Sequence, residues 1–110
     1  MKKDPIVYLH HIVEAIESIE KNIQGLTEDQ IYAAEVLQGF VERKLEIIGE
    51  ATTRLPEDLK RQYPHVPWAK MAGMRNILIH EYEDVDSTIV WDTVTQHLLP
   101  LKKQIEKILQ

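Results

Sequence analysis

Apolar residues recur every three or four positions along most of the chain, which is the spacing of a buried helix face. The first stretch opens with Asp4, a good helix N-cap, and with Pro5, whose backbone angle suits a first helical turn. It closes near Gly25, so we predict a helix over residues 5–24. Its apolar face consists of Ile6, Leu9, Val13, Ile16, Ile19 and Ile23.

A second helix is predicted from the sequence T-E-D-Q, in which Thr27 and Gln30 can form a capping box. The apolar pattern continues without a break to about Arg54, which predicts a helix roughly 40 Å long at 1.5 Å per residue. Gly39 and Gly49 each weaken such a helix by up to about 1 kcal/mol, so we expect another helix backbone close to both. The stripe is Ile31, Ala34, Gln38, Val41, Leu45, Ile48 and Thr52.

Three prolines at positions 56, 64 and 67 bound a connector in which the residues EDLKRQY predict a short helix. Pro67 then opens a third major helix, WAKMAGMRNILIHEY, and Asp86 or Ser87 caps a last helix that Pro100 should kink. The expected buried set of the third helix is Trp68, Met71, Ala72, Leu78 and Ile79. That of the last helix is Ile89, Val90, Val94, Leu98, Leu101, Ile105 and Ile108.

Four principal helices with short links predict an all-α protein, an up-down four-helix bundle with a short connecting helix, in a single domain over residues 1–110. The 13 Lys and Arg residues against 18 Asp and Glu residues give a net charge of −5. The absence of cysteine excludes a disulfide framework, a zinc knuckle, an iron–sulfur site and a thiol nucleophile. No apolar stretch approaches the roughly 20 residues of a membrane span, so we expect a cytoplasmic protein without membrane contact.

Candidate chemistry is concentrated in one segment, since the chain has no HExxH, no glycine-rich phosphate loop and no GxSxG. Arg75, Asn76, His80 and Tyr82 surround the apolar triplet 77–79, which we expect to face inward. Four chemically different polar groups therefore come from eight consecutive residues.

Helical geometry separates two of these groups. At about 100° per residue, Asn76 and His80 share a face, whereas Arg75 and His80 lie about 140° apart. Both can act on one atom only if the helix unwinds near Tyr82, or if a second copy faces the first across a two-fold axis. The dimer is the simpler arrangement.

Spacing alone also allows a purely structural interpretation. Arg75 can be the ion-pair partner of Glu46 or Glu50 on the second helix, and His80 can be a favourable cation at a helix C-terminus. Two further histidines, His10 and His11, point about 100° apart on a helix and form no evident metal site.

Several segments of the sequence, taken together and in order, resemble those of a known protein family. The segment PWAKMAGMRNILIHEYEDVD, preceded by LEIIGEA and followed by VWDTV and LLPLKKQI, resembles the HepT branch of the HEPN superfamily (higher eukaryotes and prokaryotes nucleotide-binding). The similarity runs from DPIVYLHHIVEAI to the final helix. Arg75, four residues, His80, one residue and Tyr82 match the motif of the family in order, and Asn76 fills the polar position after the arginine.

The resemblance implies a homodimeric HEPN four-helix bundle that is the toxin of a toxin–antitoxin pair. It implies an endoribonuclease that needs no metal or other cofactor, with Arg75 and His80 as catalytic residues in the dimer cleft and Asn76 in support. It further implies an antitoxin partner, a small MntA-like nucleotidyltransferase that transfers AMP to Tyr82.

These residue types suit RNA cleavage. An imidazole such as that of His80 can move protons near neutral pH, and a permanently charged guanidinium such as that of Arg75 stabilises an anionic transition state. Asn76 can position a phosphate or the imidazole. A nucleotide attached to Tyr82 would place new phosphate charge in the cleft and block RNA.

The net charge of −5 opposes RNA at long range, because phosphate neutralisation dominates affinity for nucleic acids. A local patch is one solution; ordinary solvated faces are the alternative. Two other functions also stay open: a non-catalytic HEPN module that binds a nucleotidyltransferase or a nucleotide, and a structural helical dimer. The patch would comprise Arg54, Lys60, Arg61, Lys70 and Arg75, with His65 and His80.

Overall fold

The computed structural model describes residues 4–80 and 86–110, and these residues contain helices and no strand. The all-α prediction is thereby confirmed. The long helices α1, α3, α5 and α7 are joined through shorter segments. The elements are α1 (Pro5–Ile23), α2 (Glu28–Ala33), α3 (Glu35–Thr53), α4 (Glu57–Gln62), α5 (Trp68–His80), α6 (Ser87–Asp92), a π-helical turn (Thr93–His97) and α7 (Leu98–Leu109).

The first helix begins and ends close to its predicted limits. The carboxylate of Asp4 accepts a hydrogen bond from the backbone N–H of Ile6 at 3.0 Å, which satisfies one donor of the first turn. After α1 ends at Ile23, Gly25 turns the chain with a φ of 80°, a conformation that favours glycine. The chain then reverses toward α2.

The prediction of one continuous second helix is wrong. The capping box of Thr27 and Gln30 is present, but the helix ends at Ala33, and Ala34 has the extended angles φ −106° and ψ 98°. Tertiary contacts set the direction of α2: Ile31 is buried, and the hydroxyl of Tyr32 donates to the backbone oxygen of Ser87 at 2.9 Å. No glycine or proline marks the break, and the apolar periodicity continues through it. The break therefore could not be predicted from the local sequence.

The core forms where α3 packs against α1 on one side and α5 on the other, while α1 also packs against α7. α3 thus lies at the centre of the packing. The side chains most completely removed from water are Leu9, Ile12, Ile16, Ile19 and Ile105, together with the hydroxyl-bearing Thr52.

Gly49 is the point of closest approach between α3 and α5. A Cβ added there would overlap the Cβ of Arg75 and lie 2.8 Å from the backbone oxygen of Met71. The expectation of a close helix backbone is therefore confirmed at Gly49. It is wrong at Gly39, where an added Cβ would meet no atom within 4 Å.

The connector folds as expected into the short helix α4, and Trp68 ties it to α5. The indole N–H of Trp68 donates to the backbone oxygen of Tyr63 at 2.9 Å and lies 3.2 Å from that of Lys60. Its ring is buried. The tryptophan therefore anchors the chain reversal before α5.

Only one residue of the apolar triplet 77–79 of α5 faces inward. Leu78 is buried, but Ile77 and Ile79 are 37% and 38% exposed, and Ala72 is also only partly buried. Consecutive helical residues point about 100° apart, so three in a row cannot all face one side. Trp68 and Met71 complete the buried face as predicted.

The last helix is interrupted one turn before the predicted kink. Asp86 caps α6 by accepting from the N–H of Thr88 at 2.8 Å, and the π-helical turn Thr93–His97 then separates α6 from α7. Pro100 lies inside α7, where it has no N–H to donate to the preceding turn. The π-helical turn therefore lies in the turn that precedes Pro100, and not at Pro100 itself. Ile89, which we expected on the buried face, is 51% exposed.

Gly49→Ala should destabilise the protein, because the new methyl group must push α3 and α5 apart; overpacking of this kind typically costs about 1–3 kcal/mol. Gly39→Ala is the matched control. It places a methyl group in open space on the same helix and should stabilise by up to about 1 kcal/mol. Urea unfolding followed by circular dichroism measures both. Equal stabilisation by the two substitutions would contradict the close approach at Gly49.

Candidate functional site

Arg75 lies on the face of α5 that packs against α3, beside Gly49. Its side chain is 28% exposed, and its Nε donates to Oε2 of Glu50 at 2.9 Å. Of the two ion-pair partners that the sequence allowed, the structure selects Glu50. Glu46 pairs with Arg43 instead, at 3.1 Å.

Glu50 is shared between two arginines. Its Oε1 accepts from Arg54, with Nη2 at 3.1 Å, while its Oε2 accepts from Arg75. The hydrogen bond from Arg54, aided by the charge and hydrogen bond of Arg75 and opposed by desolvation, holds the pKa of Glu50 below its usual value. The carboxylate is therefore ionised at neutral pH and restrains both guanidinium groups.

Asn76 supports the guanidinium and not the imidazole. Its Oδ1 accepts from Nη1 of Arg75 at 3.0 Å, and no hydrogen bond joins it to His80 in the part of the chain that the structure describes. Of the two roles considered for Asn76, imidazole positioning is therefore not seen. Arg75 uses Nε and Nη1 in these two bonds, and its Nη2 has no partner within residues 4–80 and 86–110.

His80 is the last residue of α5 and has an exposed side chain. Because α5 is helical from Trp68 through His80, the offset of about 140° between Arg75 and His80 is retained. A single copy thus directs the two side chains to different sides. Tyr82, the remaining motif residue, lies outside the described residues.

A polar groove of about 410 Å³ adjoins the ion-paired arginines. It runs between α1 and α3, and Glu50 and Arg54 form part of its wall. Sequence reasoning missed the other polar wall residues, although residues 43, 47, 50 and 54 follow the spacing of one helix face. The remaining lining residues are Tyr8, His11, Arg43, Ile47 and Ala51.

The proposed cationic patch is largely neutralised within the chain. Lys60 pairs with Glu57 at 3.3 Å, and Arg61 pairs with Asp58, both within α4. Arg54 and Arg75 share Glu50, as described above. The structure thus favours the alternative of solvated, ion-paired faces. Lys70 differs, since its Nζ lies 3.4 Å from Nε2 of His97.

The residues that the structure describes contain neither a candidate metal site nor a candidate membrane-spanning helix. No three His, Asp or Glu side chains there lie together in a way that could hold a metal ion. None of the described helices has the length and apolar character needed to cross a membrane.

Comparison with known proteins places these residues in a family. The family model described as "Ribonuclease HepT-like" matches residues 12–108. The chain is 42% identical to the "Probable ribonuclease HepT" of Thermococcus cleftensis over 108 residues, which is 98% of each protein. It is 39% identical over 108 residues to a protein of Caldanaerobacter subterraneus subsp. tengcongensis that is named as a candidate RNase, covering 98% of this chain and 96% of that protein.

A third relative is longer. The chain is 43% identical over all 110 residues to a Methanocaldococcus jannaschii protein named as a gamma-glutamylcyclotransferase and candidate RNase, and it spans half the length of that protein. No solved structure matches the chain. The match to the family model over almost the whole chain, with relatives of this similarity, shows that the chain belongs to the HepT-like ribonuclease family.

Proposed function

We propose that this chain is the toxin of a toxin–antitoxin pair, a homodimeric endoribonuclease that cleaves RNA without a metal ion. The observation that carries the proposal is the fixed guanidinium of Arg75, held by Glu50 and Asn76 with Nη2 left over for a phosphate oxygen. The names of the relatives support RNA as the substrate.

Arg75 suits the stabilisation of charge at the reacting phosphate. Cleavage by the neighbouring 2′-hydroxyl forms a pentavalent phosphorane with additional negative charge, and a preorganised cation lowers the free energy of that state. Since Glu50 and Asn76 already fix the side chain, little rotamer freedom is lost when the phosphate binds.

His80 suits the proton transfers. One imidazole accepts the proton of the 2′-hydroxyl as the new O–P bond forms, and an imidazolium donates a proton to the 5′-oxygen as its bond to phosphorus breaks. The exposed position of His80 at the end of α5 leaves its ring accessible to RNA.

A second copy of the chain would complete the site. Ile77 and Ile79 lie between the motif residues Arg75 and His80 on α5 and expose apolar surface, and Ile89 on α6 also exposes apolar surface. Burial of such side chains between two copies stabilises a dimer. A two-fold arrangement also supplies two copies of His80, one as base and one as acid, to a common groove.

The same ion pair between Arg75 and Glu50 would also stabilise a bundle that binds its partner and cleaves nothing. This non-catalytic alternative predicts no RNA turnover by the native chain above that of its Arg75 and His80 variants. The variants below separate the two functions.

His80→Ala should reduce RNA cleavage by about 10²- to 10⁴-fold, the usual loss when a general acid or base is removed. Arg75→Ala should do likewise, and Arg75→Lys should recover little because a point charge cannot replace the planar fork. Turnover of a labelled RNA in EDTA measures the effect. His10→Ala, which removes another exposed histidine, is the matched control and should retain activity.

Unchanged turnover in the His80 variant would favour the non-catalytic alternative. Loss of native activity in EDTA, with recovery on addition of magnesium, would contradict the metal-free mechanism.

Glu50→Gln should lower kcat by roughly tenfold, because the amide no longer holds the Arg75 guanidinium by charge-assisted hydrogen bonds. KM should stay the same or fall, since removal of a carboxylate makes the groove more positive toward RNA. Steady-state kinetics separates the two parameters. Glu46→Gln, which loosens only the Arg43 pair, is the control. A rise in KM at constant kcat would contradict a positioning role for Glu50.

Control by the antitoxin is proposed to act through Tyr82. A nucleotide attached two residues past His80 in the sequence would bring phosphate charge to the candidate site and would obstruct RNA. The transfer requires an MntA-like nucleotidyltransferase with ATP, since a phenol is almost wholly protonated at neutral pH and needs activation by the partner.

Tyr82→Phe should keep RNA cleavage yet escape silencing by the nucleotidyltransferase and ATP. Intact-mass measurement after co-expression should show AMP on the native chain and none on the variant, with Tyr8→Phe as a control that is still modified. Tyr32 is a poor substitute acceptor, since burial and the nearby Glu42, Glu28 and Asp86 raise its pKa to about 12. If the Tyr82 variant still gains AMP and is silenced, the acceptor is another phenol.

A further inference from the structure

A cavity of about 280 Å³ lies between α5, α7 and α3, and none of its lining residues is a partner of Arg75. It occupies the edge of the bundle between α5 and α7, which do not pack closely against each other within the described residues. Lys70, which borders it, precedes Arg75 by five residues and is about 140° away around the helix. The cavity is therefore separate from the candidate RNA site.

The floor of the cavity is apolar. Met71 and Met74 of α5 face Leu98 and Leu101 of α7 across it, and α3 closes it from below. Methionine side chains adapt their shape easily, so this floor can fit ligands of different outline. The α3 contribution is Leu45 and Ile48, both buried.

The rim carries positive charge. Lys70 and His97 lie 3.4 Å apart, Nζ to Nε2, and His65 is a third basic residue in the lining. No Asp or Glu is among the described residues that line the cavity. Outside the lining, the carboxylate of Asp92 lies 3.5 Å from Nε2 of His97.

Lys70 is the exception among the cations of this region. Arg54, Lys60, Arg61 and Arg75 each have a carboxylate within ion-pair distance, whereas Lys70 has none among the described residues. An ammonium group at the edge of an apolar cavity without a carboxylate partner is complementary to an incoming anion.

The π-helical turn contributes the other side of the rim. It places Thr93 and His97 in the lining, and π-helical turns are frequent at functional sites. The hydroxyl of Thr93 donates to the backbone oxygen of Ile89 at 2.8 Å, so its proton is already used. Nε2 of His97 already faces Lys70 and Asp92, so Lys70 is the donor available to an anionic group.

We propose that this cavity binds a small amphipathic anion, whose apolar body fills the space between α5 and α7 and whose single carboxylate or phosphate head binds Lys70, next to His97. The volume is slightly below the range of about 300–1,000 Å³ that is typical of ligand pockets, which limits the ligand to a short-chain acid or a single small nucleotide. The proposal does not depend on RNA cleavage.

The test is titration of the full-length protein with octanoate, with octanol as the uncharged analogue of equal chain length, and with AMP. Two of the three methionines line the cavity, so ¹³C-methyl methionine NMR reports binding directly. We expect the Met71 and Met74 signals to shift with octanoate or AMP at lower concentration than with octanol. Octanoate binding identifies an aliphatic carboxylate as the preferred ligand, and AMP binding identifies a nucleoside phosphate.

Lys70→Met keeps the length of the side chain and removes its charge. It should weaken binding of the anion about tenfold, the value of one charge-assisted hydrogen bond, and leave octanol binding within about twofold. Lys103→Met, which removes an exposed cation of α7 away from the cavity, is the matched control and should change neither. Met74→Trp, which fills the cavity from a partly exposed position, should weaken both ligands.

Equal affinity for octanoate and octanol, or unchanged anion binding in Lys70→Met, would overturn the proposal. So would the failure of both octanoate and AMP to shift the two methionine signals. If dilution that dissociates a dimer were required before octanoate binds, the cavity would be an interface between copies and the proposal would be wrong.

Discussion

The approach of α5 to α3 at Gly49 is the contact on which the rest of the structure depends. Because this position has no side chain, the backbone of α5 comes near enough for Arg75 to bond with Glu50, the next residue of α3. A larger residue would separate the helices and the ion pair together. Both the packing of α3 against α5 and the geometry of the site therefore require that residue 49 has no side chain.

Glu50 links the close packing at Gly49 to the orientation of the arginine in the candidate site. It holds two guanidinium groups with its two oxygens, and its exposure to water keeps the arrangement from being a buried ion pair with a large desolvation penalty. The local sequence G-E on α3 thus provides both the space for α5 and the anion that orients its arginine. This is why a structural and a catalytic interpretation of Arg75 are compatible.

The sequence predicted the features that depend on local rules. The caps at Asp4, Thr27 and Asp86 and the short helix α4 follow from residue types at fixed spacing, and all are present. The break at Ala34 depends on contacts with residues more than 50 positions away, and no local pattern encodes it. For the site, periodicity allowed the Arg75–Glu50 pair but could not select it over Glu46. The polar groove beside it was missed because its residues come from two helices.

The pairing of cations within the chain has a consequence for how RNA would be recognised. Each phosphate contact that a protein makes releases counterions and steepens the dependence of affinity on salt. With Arg54, Lys60 and Arg61 already bound to carboxylates, these three cations contribute less to binding along an RNA backbone. Binding would then be weakly sensitive to ionic strength, and discrimination among RNAs would come from unpaired bases and shape, which favours a few accessible loops over RNA in general.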